Sequence, residues 1–285
     1  MRVLLAIIHY FRAEDGSTHS STDAHRRDQR AAVLRGVIDS WRGTFGATTA
    51  LNIEHRRFER IRGAVDALDI AVITNGADHL LDEAHARARG VRHIKVQVDN
   101  PRMLGFTARR IFAEARHAYD LFCHSEDDLR VADPGFFGRI MAFQDRFGWK
   151  RLLMPNRYEW NPAGPTLKTW IDGDLRPDVI ARWVDALPDE PLLELPQPGR
   201  GPLVFRRAGN PHSGFCAVTA QQLAHWSRQP HFLDLDCSFV SPLESAVTLG
   251  VMKTFPIYKA FGPDAGVFEI EHLDTRFSSM KLPGG

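Results

Sequence analysis

The sequence predicts an α/β fold with a mostly parallel central sheet flanked by helices. Three observations predict it. The chain opens on an almost unbroken apolar run, the pattern of a strand covered on both faces. Strand-length and helix-period segments then alternate through the first half, as crossover connections between parallel strands require. Finally, a short and mostly apolar stretch, Leu121-Phe122-Cys123-His124-Ser125, runs into three consecutive carboxylates, Glu126, Asp127 and Asp128. That is a strand carrying acid to its own tip.

Taken in order, residues 2–10 form the first strand and emerge into His9-Tyr10-Phe11-Arg12, followed by a polar stretch over 14–22. Ligands of open α/β sheets bind beyond the carboxyl ends of strands. His9 is therefore a candidate for donor binding, and Tyr10 or Phe11 could stack on a base. From Asp28, the residues Val33, Leu34, Val37, Ile38 and Trp41 recur at helical spacing, with Gly43 as the stop. A second strand over 69–74 ends in the turn Asn75-Gly76, so Asn75 joins the donor candidates. A helix with Leu80, Leu81, Ala84 and Ala88 on one face follows, then Gly90 and a strand over 93–98. Asn100 can cap the next helix with Pro101 at its first position. Leu104, Ile111, Phe112 and Ala115 make that helix's buried stripe, while Arg102 and Arg109 lie elsewhere around it.

Past the acid triplet, Asp133-Pro134 starts a helix bearing Phe137, Ile140, Met141 and Phe147, and 151–154 reads as a strand. The segments 155–162 and 188–202 are rich in Pro and Gly and read as loops around a short helix over 179–187. Residues 211–218 form a turn feeding a strand, and Thr219 with Gln222 makes a capping box for the helix of Leu223 and Trp226. Ser241-Pro242-Leu243-Glu244 opens another short helix that Gly250 closes. The alternation over 267–272 gives a last strand whose His272 shares a side with Phe268 and Ile270. The division that follows is 1–150 as a donor-binding half and 151–285 as an acceptor-side half of one compact domain.

Composition narrows the class. The 285 residues are 44% hydrophobic and 25% charged, with a formal net charge of +1. Such a chain can bury a sizeable core but has no bulk attraction for nucleic acid, which is not expected as a partner. Cys123, Cys216 and Cys237 are widely spaced and odd in number, which argues against a disulfide framework and fits a reducing cytoplasm. No stretch reaches the length of a transmembrane segment. A cytoplasmic protein is expected, and peripheral docking on a membrane stays open.

In an extended backbone Glu126 and Asp128 share one side while Asp127 faces the other. Two hard oxygen ligands suit Mn²⁺ or Mg²⁺, which bind through one or two carboxylates together with substrate phosphates. The alternative is a solvated acidic turn. Asp127 is free, on this reading, to accept hydrogen bonds from a ribose or sugar hydroxyl, and Arg102 or Arg109 to contact phosphate.

The order of these features resembles the GT-A class of nucleotide-sugar-dependent glycosyltransferases, across most of the chain though through short motifs. Glu126-Asp127-Asp128 stands where that class carries its DxD motif, with Glu for the first Asp. The segment from Asn100 through Gly105 to Arg109 resembles the nucleotide-contacting helix. His212-Ser213-Gly214-Phe215 resembles the glycine-containing loop before the acceptor-side helix, which brings His212 and Gly214 to the donor. Leu243-Glu244 resembles the acidic motif of the following helix, although Ser245 stands where an Asp is common. His272 falls where many members place a late metal-binding His. The resemblance implies a bacterial, metal-dependent glycosyltransferase using a nucleoside-diphosphate sugar, UDP-sugar ahead of GDP-sugar, with an acceptor that the sequence does not name.

Inverting transfer needs a carboxylate base, for which Glu244 is the first candidate and Asp236 the second. Glu244 reads equally as a helix cap. Tyr158 and Trp160 offer flat faces for an acceptor sugar. Two alternatives stand beside this reading. Nucleotidyl transfer uses a similar sheet and acidic metal site, but usually with a Gly-rich basic loop where this chain has His9-Tyr10-Phe11-Arg12. A non-catalytic nucleotide-sugar-binding protein is the other.

Overall fold

The computed structural model describes residues 1–14 and 21–280. Its main sheet has five strands: β1 (Arg2–Ile8), β4 (Ala67–Thr74), β5 (Val91–Lys95), β6 (Leu121–Glu126) and β13 (Phe215–Thr219). Their order is β13-β6-β1-β4-β5, with β6, β1, β4 and β5 parallel and β13 antiparallel to β6. The fold is thus mixed α/β with a mostly parallel central sheet, and its antiparallel edge comes from the second half of the chain.

The apolar run of β1 is explained by burial on both faces. Val3, Leu5 and Ile7 enter one core with α1 (Arg27–Phe45), α2 (Glu83–Ala88) and α4 (Phe136–Phe147). Leu4 and Ala6 enter the other, with α3 (Thr107–Glu114), α5 (Pro177–Ala186), α6 (Ala220–Trp226) and a helical run over 242–252. Trp41 anchors the first core, stacked at 5.8 Å on Phe137 and 6.0 Å on Phe215. The capping box of Thr219 and Gln222 is formed in full.

Several boundaries differ from expectation. Gly43 lies inside α1, which runs on to Phe45 and ends before Gly46, because the apolar stripe continues one turn further. Leu80 and Leu81 precede α2, which Asp82 caps from its side chain. Gly250 does not close its helix: the run passes through a π turn, Ser245–Leu249, and continues to Met252.

The two stretches expected as loops are strands. Residues of the first form β9 (Asn156–Trp160), and the second holds the hairpin of β11 (Leu192–Gln197) and β12 (Arg200–Arg207), turning at Gly199 with φ +72°. Proline masked the pattern, since it is tolerated on edge strands and at bulges; the β11–β12 ladder shifts register between Leu195 and Gln197. These strands build two smaller sheets. One is β10-β9-β15-β7, with β7 at Leu129–Arg130, β10 at Lys168–Trp170 and β15 at Glu269–His272. The other is β11-β12-β14-β8, with β8 at Leu152–Leu153 and β14 at Ile257–Ala260. A separate hairpin pairs β2 (Thr48–Asn52) with β3 (Arg57–Ile61). Among the described residues no helix is long and apolar enough to cross a membrane.

Candidate active site

The acid triplet sits where β6 ends, and the small sheet carries a histidine to it. Directly after the triplet the chain enters β7, which pairs antiparallel with β15 so that His272 lies opposite Leu129. Leu273 N donates to the carbonyl of Asp128 at 2.8 Å. This register places His272 Nε2 3.6 Å from Asp128 Oδ2, while its Nδ1 lies 2.9 Å from the fully buried Glu159. Burial alone would lower the imidazole's pKa. The Asp128 and Glu159 carboxylates outweigh burial and raise it to about 10. A carboxylate behind an imidazole, aiming its other nitrogen forward, is the support that metal-binding histidines commonly have.

The alternation expected across the triplet does not hold, because β6 stops at Glu126 and the two aspartates lie in the turn. Asp127 and Asp128 share a single partner instead. Arg30, on α1, donates from Nη2 to Asp127 and from Nη1 to Asp128 at 3.0 Å. Asp127 also pairs with His9 Nδ1. Each of its oxygens therefore already holds one charged or ring partner, and with the side chain only 11% exposed a ribose hydroxyl would have to share them. Burial pushes the Asp127 carboxyl up, but Arg30 and His9 hold it below the ordinary range. Asp128 is likewise raised by burial and pulled well down by His272 and Arg30.

Glu126 differs from both. Its side chain is 29% exposed and its contacts are long, 3.4 Å to Arg157 Nη1 and 3.6 Å to His212 Nε2. Burial pushes its carboxyl up against the pull of Arg157, with Asp128 and Glu244 adding to the rise. Gly214 makes room for it. With φ +64° and a hypothetical Cβ only 2.9 Å from Glu126 Cδ, a larger residue would displace the Glu126 carboxylate, and the Gly214 carbonyl accepts from Glu126 N at 2.9 Å.

A divalent cation fits this set by one observation in particular. Asp128 Oδ1 is buried with no hydrogen-bond partner among the described residues, a costly state for a carboxylate oxygen unless something positive meets it. Glu126, Asp128 and His272 do not form a ready-made cage, however. Among the described residues, the group of three whose ligand atoms all lie within 4.8 Å of one another is elsewhere, at His79, Glu83 and His93. Mg²⁺ and Mn²⁺ do not need a full protein cage, since waters and substrate phosphates complete their shell.

The other expected residues divide into near and far. His212 is buried beside Glu126, with its Nδ1 3.0 Å from Thr248 Oγ1; burial and then Arg157 lower its pKa to about 3, so it is neutral. Ser241 Oγ caps the helix by accepting from Leu243 N and donates to the Glu244 carboxylate, so the cap is Ser241 and the expected capping box is not formed; the charge of Glu244 is felt at Glu126. Asn75 folds into its own turn, accepting from Asp78 N at 2.8 Å. Asn100 caps its helix by accepting from Arg102 N, and Arg102 is exposed. Tyr10 is half-buried, whereas Phe11 is buried with the Arg27 guanidinium over its ring, which leaves no open face for a base. Residues 15–20 of the polar stretch lie outside the described residues.

Three expectations are corrected outright by geometry. Arg109 is buried and its Nη1 and Nη2 are directed at the carbonyls of Phe232, Asp234, Ser245 and Ala246, while its Nε is buried without a partner, so the guanidinium braces the fold and is closed off from a phosphate in solution. Asp236 pairs with Lys253, which together with Ser238 lowers its pKa to about 2 and makes it a poor base. On β9 the side chains alternate: Arg157 and Glu159 face the acids, so Tyr158 and Trp160 face away, beside Lys168. The expected acceptor platform is on the wrong side of its strand.

Sequence reasoning missed Arg30, Arg157, Glu159, Asp172 and Lys259. Arg157 donates to Asp172 as well as to Glu126, and Lys259 joins Asp172 at 3.0 Å to the His212 carbonyl at 2.7 Å. One signal was present for Arg30: it lies four residues before Leu34 on the stripe that continues through Ile38, where a charged residue needs a buried partner.

No protein-family model and no curated protein matches the chain. Solved structures do. A CMP:2-keto-3-deoxy-manno-octonic acid synthetase complexed with CTP is 11% identical, covering 81% of this chain and 79% of its own, with a TM-score of 0.31. A mannose-1-phosphate geranyltransferase from Thermus thermophilus is 12% identical, covering 92% and 74%, with a TM-score of 0.41. A 4-diphosphocytidyl-2C-methyl-D-erythritol synthase is 13% identical, covering 66% and 82%, with a TM-score of 0.29. None of the three is described as a glycosyltransferase. At these scores the likeness assigns no activity to this chain.

Proposed function

We propose that this protein is a divalent-metal-dependent transferase acting at the phosphates of a nucleotide substrate. The observation that carries the reading is the unpartnered Asp128 Oδ1, buried at the tip of β6 with His272 beside it and Glu126 across from Gly214. Asp128, Glu126 and His272 would hold Mn²⁺ or Mg²⁺, with Glu159 fixing the imidazole. Such a cation supplies neutralisation of charge growing on phosphate oxygens as the leaving group departs. Arg30 holds two carboxylates ionised and in place, which keeps the turn open toward the cation. Arg157 adds a positive charge at the edge of Glu126.

Two transfers suit that arrangement and differ in what leaves. In nucleotidyl transfer a sugar phosphate or similar oxyanion attacks the α-phosphorus of a nucleoside triphosphate, and pyrophosphate departs. In sugar transfer an acceptor hydroxyl attacks the anomeric carbon and a nucleoside diphosphate departs; Glu244, freed from Ser241, would take the proton in an inverting reaction. The chain would use its 1–150 half for the nucleotide and 151–285 for the second substrate, although His272 shows both halves meeting at the acids.

The test is to supply Mn²⁺ with nucleoside triphosphates plus sugar phosphates, and separately with nucleotide sugars, and to follow pyrophosphate and nucleoside diphosphate. Metal-stimulated release of pyrophosphate identifies the first transfer and of nucleoside diphosphate the second. Either release must be lost in Glu126→Ala and Asp128→Ala. Saturable nucleotide binding with no turnover across the acceptor panel would reduce the protein to a binding module.

A further inference from the structure

On the β4–β5 edge of the main sheet a second set of ligand-type side chains converges. His79 comes from the loop after β4, Glu83 from the first turn of α2 and His93 from β5. Each offers one ligand atom, and these atoms all lie within 4.8 Å of one another. His93 Nδ1 is 2.6 Å from Glu83 Oε1, and the His79 and His93 rings meet edge to face at 4.7 Å. His93 is well covered while Glu83 is 45% exposed, so the set is enclosed below and open to water above.

We propose that His79, Glu83 and His93 form a binding site for a borderline transition-metal dication of the Zn²⁺ type. Two imidazoles and one carboxylate are a donor set that suits zinc and its neighbours and not Mg²⁺ or Ca²⁺, which prefer oxygen alone. The fourth tetrahedral position faces solvent and takes a water. Behind His93, its Nε2 lies 2.8 Å from Thr74 Oγ1, a buried hydroxyl held in place by Gly76 N at 3.0 Å. That outer contact fixes the ring so that Nδ1 points at the shared space.

The adjustments required are small. Zinc–ligand bonds of about 2.0–2.2 Å put neighbouring tetrahedral ligands roughly 3.3 Å apart. The His93–Glu83 pair therefore opens slightly and His79 closes in. His79 Nδ1 now accepts a long hydrogen bond of 3.2 Å from Leu81 N, which is exchanged for the metal if that nitrogen is the ligand. To ligate through Nδ1, His93 takes the neutral form with its proton on Nε2, which donates to Thr74 Oγ1.

The ion would pin a segment that matters elsewhere. Leu80, next to His79, donates its N–H to His9 Nε2 at 2.9 Å, and the other nitrogen of His9 is the one paired with Asp127. Closing the loop onto a metal would steady the seat of His9. The site itself does not depend on the acid tip or on the transfer reaction.

The experiment uses the full chain stripped of metal and titrated with Co²⁺ and then Zn²⁺, beside His79→Ala, Glu83→Gln and Asp128→Asn. Expected are one equivalent of Co²⁺ with the strong visible absorption of tetrahedral coordination, displaced by Zn²⁺, and a zinc-dependent rise in melting temperature. Asp128→Asn keeps both signals, and His79→Ala and Glu83→Gln weaken binding by about tenfold or more. Glu83 is on the surface, so its variant folds even where loss of an imidazole disturbs the edge strand. The proposal is overturned if the wild type gives only weak, octahedral absorption, or if Asp128→Asn removes the signal while His79→Ala and Glu83→Gln retain it.

Discussion

Gly214 and Glu126 occupy each other's space: a Cβ on the glycine would stand 2.9 Å from Glu126 Cδ, and the glycine's φ is +64°. Substitution by alanine therefore carries two penalties. The left-handed backbone costs about 1–2 kcal/mol for a residue with a Cβ, measurable by urea unfolding. Beyond that, Glu126 must swing away, so Mn²⁺ affinity measured with a nucleoside diphosphate present should fall far more than the stability change explains.

Arg30 is the cationic fork that α1 sets across Asp127 and Asp128, with side chains 6%, 11% and 12% exposed. Arg30→Ala leaves two buried carboxylates short of their partner and should destabilise the protein by about 3–5 kcal/mol. Arg30→Lys should recover little of this, because a single ammonium cannot span both acids. Urea unfolding of both variants checks the ordering.

The two faces of β9 make opposite predictions. Arg157→Leu and Glu159→Gln should alter Mn²⁺ affinity, the first by removing positive charge beside Glu126 and the second by loosening His272. Trp160→Ala should leave it unchanged, because that side chain is 48% exposed on the other face. Mn²⁺ titration followed by electron paramagnetic resonance separates the two outcomes.

Acid stability should report a pair far from the site. Arg151 donates two hydrogen bonds, of 2.7 and 2.6 Å, to Asp189 and brings its pKa down to about 2 against the opposing effect of burial. The folded carboxyl thus holds its proton less tightly than the unfolded one, at about 3.9. Its stabilisation is complete above the unfolded value and is lost as pH falls toward 2. Asp189→Asn should flatten the dependence of stability on pH over that window, as measured by unfolding in urea at a series of pH values.

How far the sequence could be read follows from what each signal depends on. Continuous apolar runs mark strands buried on both faces, which is why β1, β4 and β6 were legible and the sheet class with them. The strands β9, β11 and β12 were not, because charged residues in β9 and β12 and proline in β11 and β12 interrupt the apolar pattern. The acids at the tip of β6 were singled out from residue type, and His272 from the resemblance in the order of the motifs. Their counter-charges were not, since Arg30, Arg157 and Lys259 are distant in sequence. Only the register of β15 against β7 and β9 brings His272, Glu159 and Arg157 up to the acids. Trp160 failed as an acceptor residue for the same reason: in a loop its direction is open, but in a strand it is dictated by its neighbours.

Around the triplet, the carboxylates of Glu126, Asp127, Asp128, Glu159 and Asp172 are answered by Arg30, Arg157, Lys259 and His272. The cluster is thereby almost self-neutralised. A lone dication would find little long-range pull, and a lone polyanion no welcoming field. On the proposed function, such a charge set would favour the two delivered together as a nearly uncharged complex, each ligand then tightening the other's hold by the same factor.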